Sequence, residues 1–131
     1  MREILFRGMA INGKWVYGNL SILKKDLHLC GGMVKAGCYI SNVAGSPFAY
    51  SIRPETVGQY TGMEDERLNR IFEGDILDSE EFSNMVVSYN EHDACFIGGD
   101  TPFSEIDPDD DEIWKVIGNI HENPELLEVR E

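Results

Sequence analysis

Basic residues are scarce in this chain. Its 131 residues carry 11 Lys and Arg against 24 Asp and Glu, a formal net charge of −13. Such a surface repels phosphates, and nucleic-acid binding draws its gain from counterions released by Lys and Arg, so no direct nucleic-acid partner is expected. Long apolar runs are also lacking: every run falls well short of the roughly 20 residues of a membrane-spanning helix, and no membrane partner is expected. The start, Met1-Arg2-Glu3-Ile4-Leu5-Phe6, meets Arg7 and Gly8 at once. It lacks the apolar core of about 7–15 residues that marks a secretory signal, and the expected location is the cytoplasm. Cysteines are few and odd in number (Cys30, Cys38 and Cys95), without a C-x-x-C pair. In a reducing compartment they are expected to be buried free thiols.

The same scarcity limits the chemistry. Zinc needs three or four converging ligands; His28, Cys30 and Cys38, or His92 and Cys95, supply candidates but no knuckle spacing. Cys95 lies in the apolar run Ala94-Cys95-Phe96-Ile97, a setting that raises a thiol pKa and opposes nucleophilic use. Cys30-Gly31-Gly32 and Gly98-Gly99 lack the Lys-Ser/Thr that completes a phosphate-cradling loop. The expectation is therefore no cofactor, no metal and no catalytic residue, with a hydrolase or metal enzyme as the least favoured reading.

What the chain does have is an uneven charge. Residues 1–55 hold seven Lys and Arg against three acids, a net of +4, and residues 56–131 hold four against 21, a net of −17. The split suggests two regions with different partners, or one region that receives the other from a neighbouring copy. Six acids fall within residues 105–112: Glu105, Asp107, Asp109, Asp110, Asp111 and Glu112. Their spacing is not that of a calcium loop, which needs Gly at position 6 and Glu at position 12. Together they set up a strong negative potential, suited to gripping a basic host or phage protein or to imitating a nucleic-acid backbone.

Short strands between turns dominate the pattern. Asn12-Gly13 predicts a two-residue type I′ hairpin turn folding residues 4–11 onto residues 14–20. Trp15 and Tyr17 alternate with Lys14 and Val16, giving one aromatic face. Residues 39–43 and 48–52 read as strands, the second with Phe48, Tyr50 and Ile52 toward the core, and Arg53-Pro54 marks a break. Further strands are expected at residues 57–61, 71–77 (around a Glu73-Gly74-Asp75 turn), 85–89, 94–97 and 114–120. Residues 98–112 read as a long exposed excursion. Asn123-Pro124-Glu125 caps a short terminal helix over residues 125–129. The expected fold is mainly β: an N-terminal β region over residues 1–55, then a small SH3-like barrel with the acidic loop over residues 56–131.

Three segments in order carry a resemblance that spans nearly the whole chain. They are Met1-Arg2-Glu3-Ile4-Leu5-Phe6-Arg7; Thr56-Val57-Gly58-Gln59-Tyr60-Thr61-Gly62 with Ile71-Phe72-Glu73-Gly74-Asp75-Ile76; and Val116-Ile117-Gly118-Asn119-Ile120-His121-Glu122-Asn123-Pro124-Glu125-Leu126-Leu127. They resemble the YopX family of small phage and prophage proteins. The chain departs from it over Met63-Glu64-Asp65-Glu66-Arg67-Leu68-Asn69-Arg70, where the family commonly has a Lys/Asn/Gly-rich turn. The resemblance implies a mainly β fold, a mobile-element origin and no established enzyme activity. Gly58, Gln59, Tyr60, Thr61, Gly62, Glu73, Gly74, Asp75, Gly118, Asn119, Glu122, Asn123 and Pro124 are then either fold determinants or the lining of a partner groove. The expected role is a non-enzymatic binding or assembly module that associates with itself, the alternative being an acidic decoy for a host DNA-binding protein.

The acidic run yields a direct test. Replacing Asp109, Asp110 and Asp111 with Asn should leave stability within about 0.5 kcal/mol, as exposed substitutions do. The same change should slow association with a basic probe protein in stopped-flow measurements at low salt. Unchanged association would reduce the run to a solubilising loop.

Overall fold

The computed structural model describes residues 3–42, 49–78, 84–99, 101–102 and 115–127. The protein is mainly β, and it divides into two compact units, Met1–Gln59 and Tyr60–Glu131. The division falls after Gln59, within the strand Gly58–Glu64.

In the first unit, β1 (Phe6–Met9) pairs antiparallel with β2 (Trp15–Leu23). The turn between them is longer than the two-residue turn expected. Gly13 takes φ +83°, its N–H donates to the Ala10 carbonyl at 2.9 Å, and the Ala10 N–H donates to the Lys14 carbonyl at 3.0 Å. Asn12 contributes through its side chain, whose Oδ1 accepts the Lys14 N–H at 3.0 Å. This is the three-residue loop in which a left-handed glycine follows a type I turn.

Beyond β2 the chain makes a small separate hairpin, β3 (Leu27–Leu29) and β4 (Gly32–Val34), then returns as β5 (Gly37–Ser41) and β6 (Ala49–Ile52). A 3-10 turn over Pro54–Thr56 leads into β7 (Gly58–Glu64). The strand order here is β6-β5-β2-β1-β7, with Gly58 and Gln59 paired to Arg7 and Phe6. Ala10, Val16, Ile40 and Ile52 form the core, with Phe6, Leu20, Cys38, Tyr50 and Val57 packed around them. Ile52 thus faces the core as its alternation predicts, and Tyr50 is half-buried against it. Phe48 lies outside the described residues.

In the second unit, the later residues of β7 pair with β8 (Arg70–Phe72), with a register shift between Tyr60 and Glu64. Then follow β9 (Asp75–Asp78), β10 (Met85–Asn90), β11 (Cys95–Gly98), β12 (Thr101–Pro102) and β13 (Lys115–Asn119). These five lie in the order β12-β11-β10-β9-β13. The sheet is an open row: among the described residues no ladder joins β12 to β13, so the closure of an SH3-like barrel is not formed there. Ile71, Leu77 and Val87 make the core, with Phe96 and Val116 against it.

Two further expectations are corrected. The terminal helix is one 3-10 turn, Pro124–Leu127, closed by the Leu126 N–H on the Asn123 carbonyl at 3.1 Å; residues 128–131 lie outside the description. The cysteines are free but not buried: Cys38 and Cys95 are half-buried, and Cys30 is exposed because all three residues of β3 before it are exposed.

The loop after β7 is organised by one carboxylate. Asp65 is 6% exposed. Its Oδ1 accepts the N–H groups of Arg67 (2.9 Å) and Asn69 (2.8 Å). Its Oδ2 accepts the Asn69 amide and the Val116 N–H, both at 3.2 Å. Burial alone pushes its pKa up, but these hydrogen bonds to the charged form outweigh it and hold the carboxyl below its ordinary value. The sign follows. A depressed folded pKa contributes stability above the unfolded value, about 3.9, that is lost as pH falls through the folded value. Urea midpoints followed from neutral pH into acid should show this loss, and Asp65→Asn should remove its share. Asp65→Ala should cost about 1–3 kcal/mol at neutral pH by leaving the part-buried donors of Arg67, Asn69 and Val116 without their acceptor.

Candidate binding groove

The family-motif residues go to two places. Gly58 and Gln59 start β7 in the first unit, and the rest lie in the second. Tyr60 is buried, its ring 5.6 Å from that of Phe72 and its face 5.4 Å from the Arg70 guanidinium. Thr61 Oγ1 donates to the Ile71 carbonyl at 2.8 Å and accepts the Met63 N–H at 3.1 Å. Gly62 stands within the register shift of β7 and β8.

The Glu73-Gly74-Asp75 turn and the segment after β13 are brought together. Asn119 pairs with Asp75, and the Ile120 N–H donates to the Gly74 carbonyl at 2.9 Å. Asp75 is 2% exposed, and its Oδ2 accepts the Phe72 N–H at 2.8 Å. Asn119 Oδ1 accepts the N–H groups of His121 (3.0 Å) and Glu122 (2.9 Å), while its amide donates to Glu122 Oε1 at 3.2 Å. Asn123 Oδ1 accepts the Asn119 N–H at 3.2 Å and lies only 2.5 Å from where a Cβ on residue 118 would stand. Pro124 then opens the 3-10 turn. These contacts tie turns to strands. Asp107, Asp109, Asp110, Asp111 and Glu112 lie outside the described residues.

The recess with the makings of a binding site is in the first unit. It holds about 490 Å³, within the usual span of ligand pockets. Trp15 and Tyr17 project from one side of β2, Tyr50 comes from β6, and Lys14, Asn12 and Asn42 bring polar groups. Ala10 and Val16 complete the lining. The Arg7 guanidinium lies 4.7 Å from the centre of the Trp15 ring, a cation–π contact that fixes the indole. Tyr17 is 46% exposed. The alternation along residues 14–17 made the aromatic face legible. The contributions of Tyr50 and Asn42 were not, since they arrive through the β2–β5–β6 pairing. Asp65 was missed as well; its signal was an Asp placed to accept backbone N–H groups a few residues on, as Asp does in turns.

The groove is lined by aromatic rings, amides and an ammonium group. Among the described residues no three His, Cys, Asp or Glu side chains gather as a metal site, and no helix is long and apolar enough to cross a membrane.

Fold and groove together define a mainly β protein of two units, one of them carrying an open aromatic recess. The family model described as YopX protein matches residues 6–128, and the chain belongs to that family. Among solved structures, the crystal structure of protein EF1440 from Enterococcus faecalis is similar, at 26% identity and a TM-score of 0.55, covering 98% of this chain and 100% of that one. No curated protein sequence matches.

Gly118 carries the sharpest prediction from this geometry. Gly118→Ala forces the Asn123 side chain off its hydrogen bond, and overpacking of this kind costs about 1–3 kcal/mol. Thermal and urea unfolding of the full chain should show that loss. A variant as stable as the parent would remove Gly118 and Asn123 from the fold determinants.

Proposed function

We propose that this YopX family member is a non-enzymatic binding and assembly module of a phage or prophage, working in the cytoplasm, and that the groove of its first unit takes an extended acidic peptide. The observation that carries this reading is the grouping of Trp15, Tyr17 and Tyr50 with Lys14, Asn12 and Asn42 around one recess. Aromatic rings give contact area at low entropic cost. Lys14 and the +4 charge of residues 1–55 favour acidic side chains. The six acids of residues 105–112 support a second reading, in which that run holds a basic host or phage protein as a decoy for nucleic acid.

A displayed peptide library selected on the full chain tests the groove. Enriched peptides should contain Asp or Glu, and Tyr17→Ala should weaken them about tenfold or more, as loss of an aromatic anchor does, with the melting temperature little changed. Peptides that bind Tyr17→Ala and Lys14→Ala as well as the parent would overturn the assignment.

A further inference from the structure

Apolar exposure in the first unit is concentrated on one feature. Of the twelve large apolar side chains exposed among the described residues, four fall within residues 22–33: Ile22 (61%), Leu27 (45%), Leu29 (55%) and Met33 (46%). Ile22 ends near the base of the β3–β4 hairpin, and the other three are on it. In the hairpin register Leu27 faces Val34 and His28 faces Met33, so apolar side chains occupy both of its surfaces. Scattered exposed apolar residues need no explanation, but a cluster of them marks a contact surface.

A two-stranded hairpin is at best marginally stable by itself, yet this one is anchored. At its base Asp26 Oδ1 accepts the Ala36 N–H at 2.8 Å, and the Tyr39 hydroxyl donates to the Lys35 carbonyl at 2.6 Å. The strands beyond this clamp form the two-stranded ladder β3–β4, separate from the larger sheets. The hairpin is therefore held in place before any partner arrives, which lowers the ordering cost of an association.

Charge selects the partner. Lys24, Lys25 and Lys35 flank the hairpin, and the one nearby acid, Asp26, is committed to the clamp. Two such hairpins repel each other. Residues 60–131, with 21 acids against four basic residues, attract them. We propose that the β3–β4 hairpin is an assembly arm that seats on the acidic second unit of another copy of this chain. The proposal rests on the assembly half of the function above and names the element responsible. Leu27, Leu29 and Met33 supply the apolar contact, and the three lysines set its orientation. The contact is heterologous, joining different surfaces of the two copies, and builds a closed assembly where the geometry returns on itself.

The test uses the full chain. Light scattering at high protein concentration and about 0.1 M salt should give a mass above the monomer, falling as salt rises toward 1 M and the Debye length shrinks to about 3 Å. Leu29→Ser with Met33→Ser, and separately Lys24→Glu with Lys25→Glu, should each weaken association about tenfold or more. A photo-crosslinker on Cys30, exposed just after β3, supplies a readout without either variant. In an equal mixture of isotopically heavy and light chains, heavy–light links from Cys30 should map to residues 60–131. Links from hairpin to hairpin, or to residues 1–59, overturn the proposal, as do undiminished oligomers of both variants with an unchanged circular dichroism spectrum; the assembly reading then survives without the arm. A monomeric parent overturns both, including one that floats with phosphatidylglycerol vesicles, which would assign the hairpin to an anionic membrane.

Discussion

Buried backbone N–H groups are the constraint on which this structure depends. A chain of short strands has many turns, and each turn leaves donors outside the ladders; a buried donor without an acceptor costs free energy comparable to a lost hydrogen bond. Short polar side chains solve the problem here. Thr56, 4% exposed, accepts the Met9 N–H at 2.8 Å and donates to the Arg53 carbonyl at 2.7 Å. Asp65 gathers three backbone donors, Asp75 one and Asn119 two. Two of these contacts span long stretches of sequence, 47 residues from Thr56 to Met9 and 51 from Asp65 to Val116. They therefore fix strands as well as turns.

That constraint explains why the motif in the second unit reads as architecture. Gly118 has no side chain because Asn123 occupies the space, and Asn123 is there because the Asn119 N–H needs an acceptor. Asn119 in turn holds His121 and Glu122, and the same strand end meets the Glu73-Gly74-Asp75 turn through Ile120. The run from Gly118 to Asn123 is thus tied together mainly through Asn119 and Asn123. Asp65 does comparable work in the loop after β7, which its carboxylate orders through the N–H groups of Arg67 and Asn69.

Strand positions were largely legible in the sequence because alternation and turn residues are local signals. Val16 and Ile52 alternate with their neighbours and are buried, and β10 and β11 flank a polar loop as their residues predict. What the pattern missed depended on side-chain partners. Asn12-Gly13 marked a turn but not its length, since the loop uses the Asn12 side chain as an acceptor. Cys30 looked like a buried thiol by composition, whereas its exposure follows from β3 and β4 pairing only with each other. For the groove, Trp15 and Tyr17 were visible as one face of one strand. Tyr50 and Asn42 join them only after β5 and β6 have paired, a long-range event that no local window contains.

The charge split gains physical meaning once it is set on the two compact units. Charges left on the surface act over distances near the Debye length, about 8–10 Å in ordinary salt, and steer encounter more than they stabilise a fold. Few of them are needed inside: the Lys115–Glu66 pair stands at 3.5 Å with the Lys115 side chain 52% exposed, a geometry that contributes little to stability. The buried carboxylates Asp65 and Asp75 both accept backbone N–H groups. The fold thus uses these internal acids as hydrogen-bond acceptors for its own backbone. The acid excess of residues 60–131 and the basic excess of residues 1–55 therefore fall on different units of the chain, where charge acts through long-range steering more than through the core.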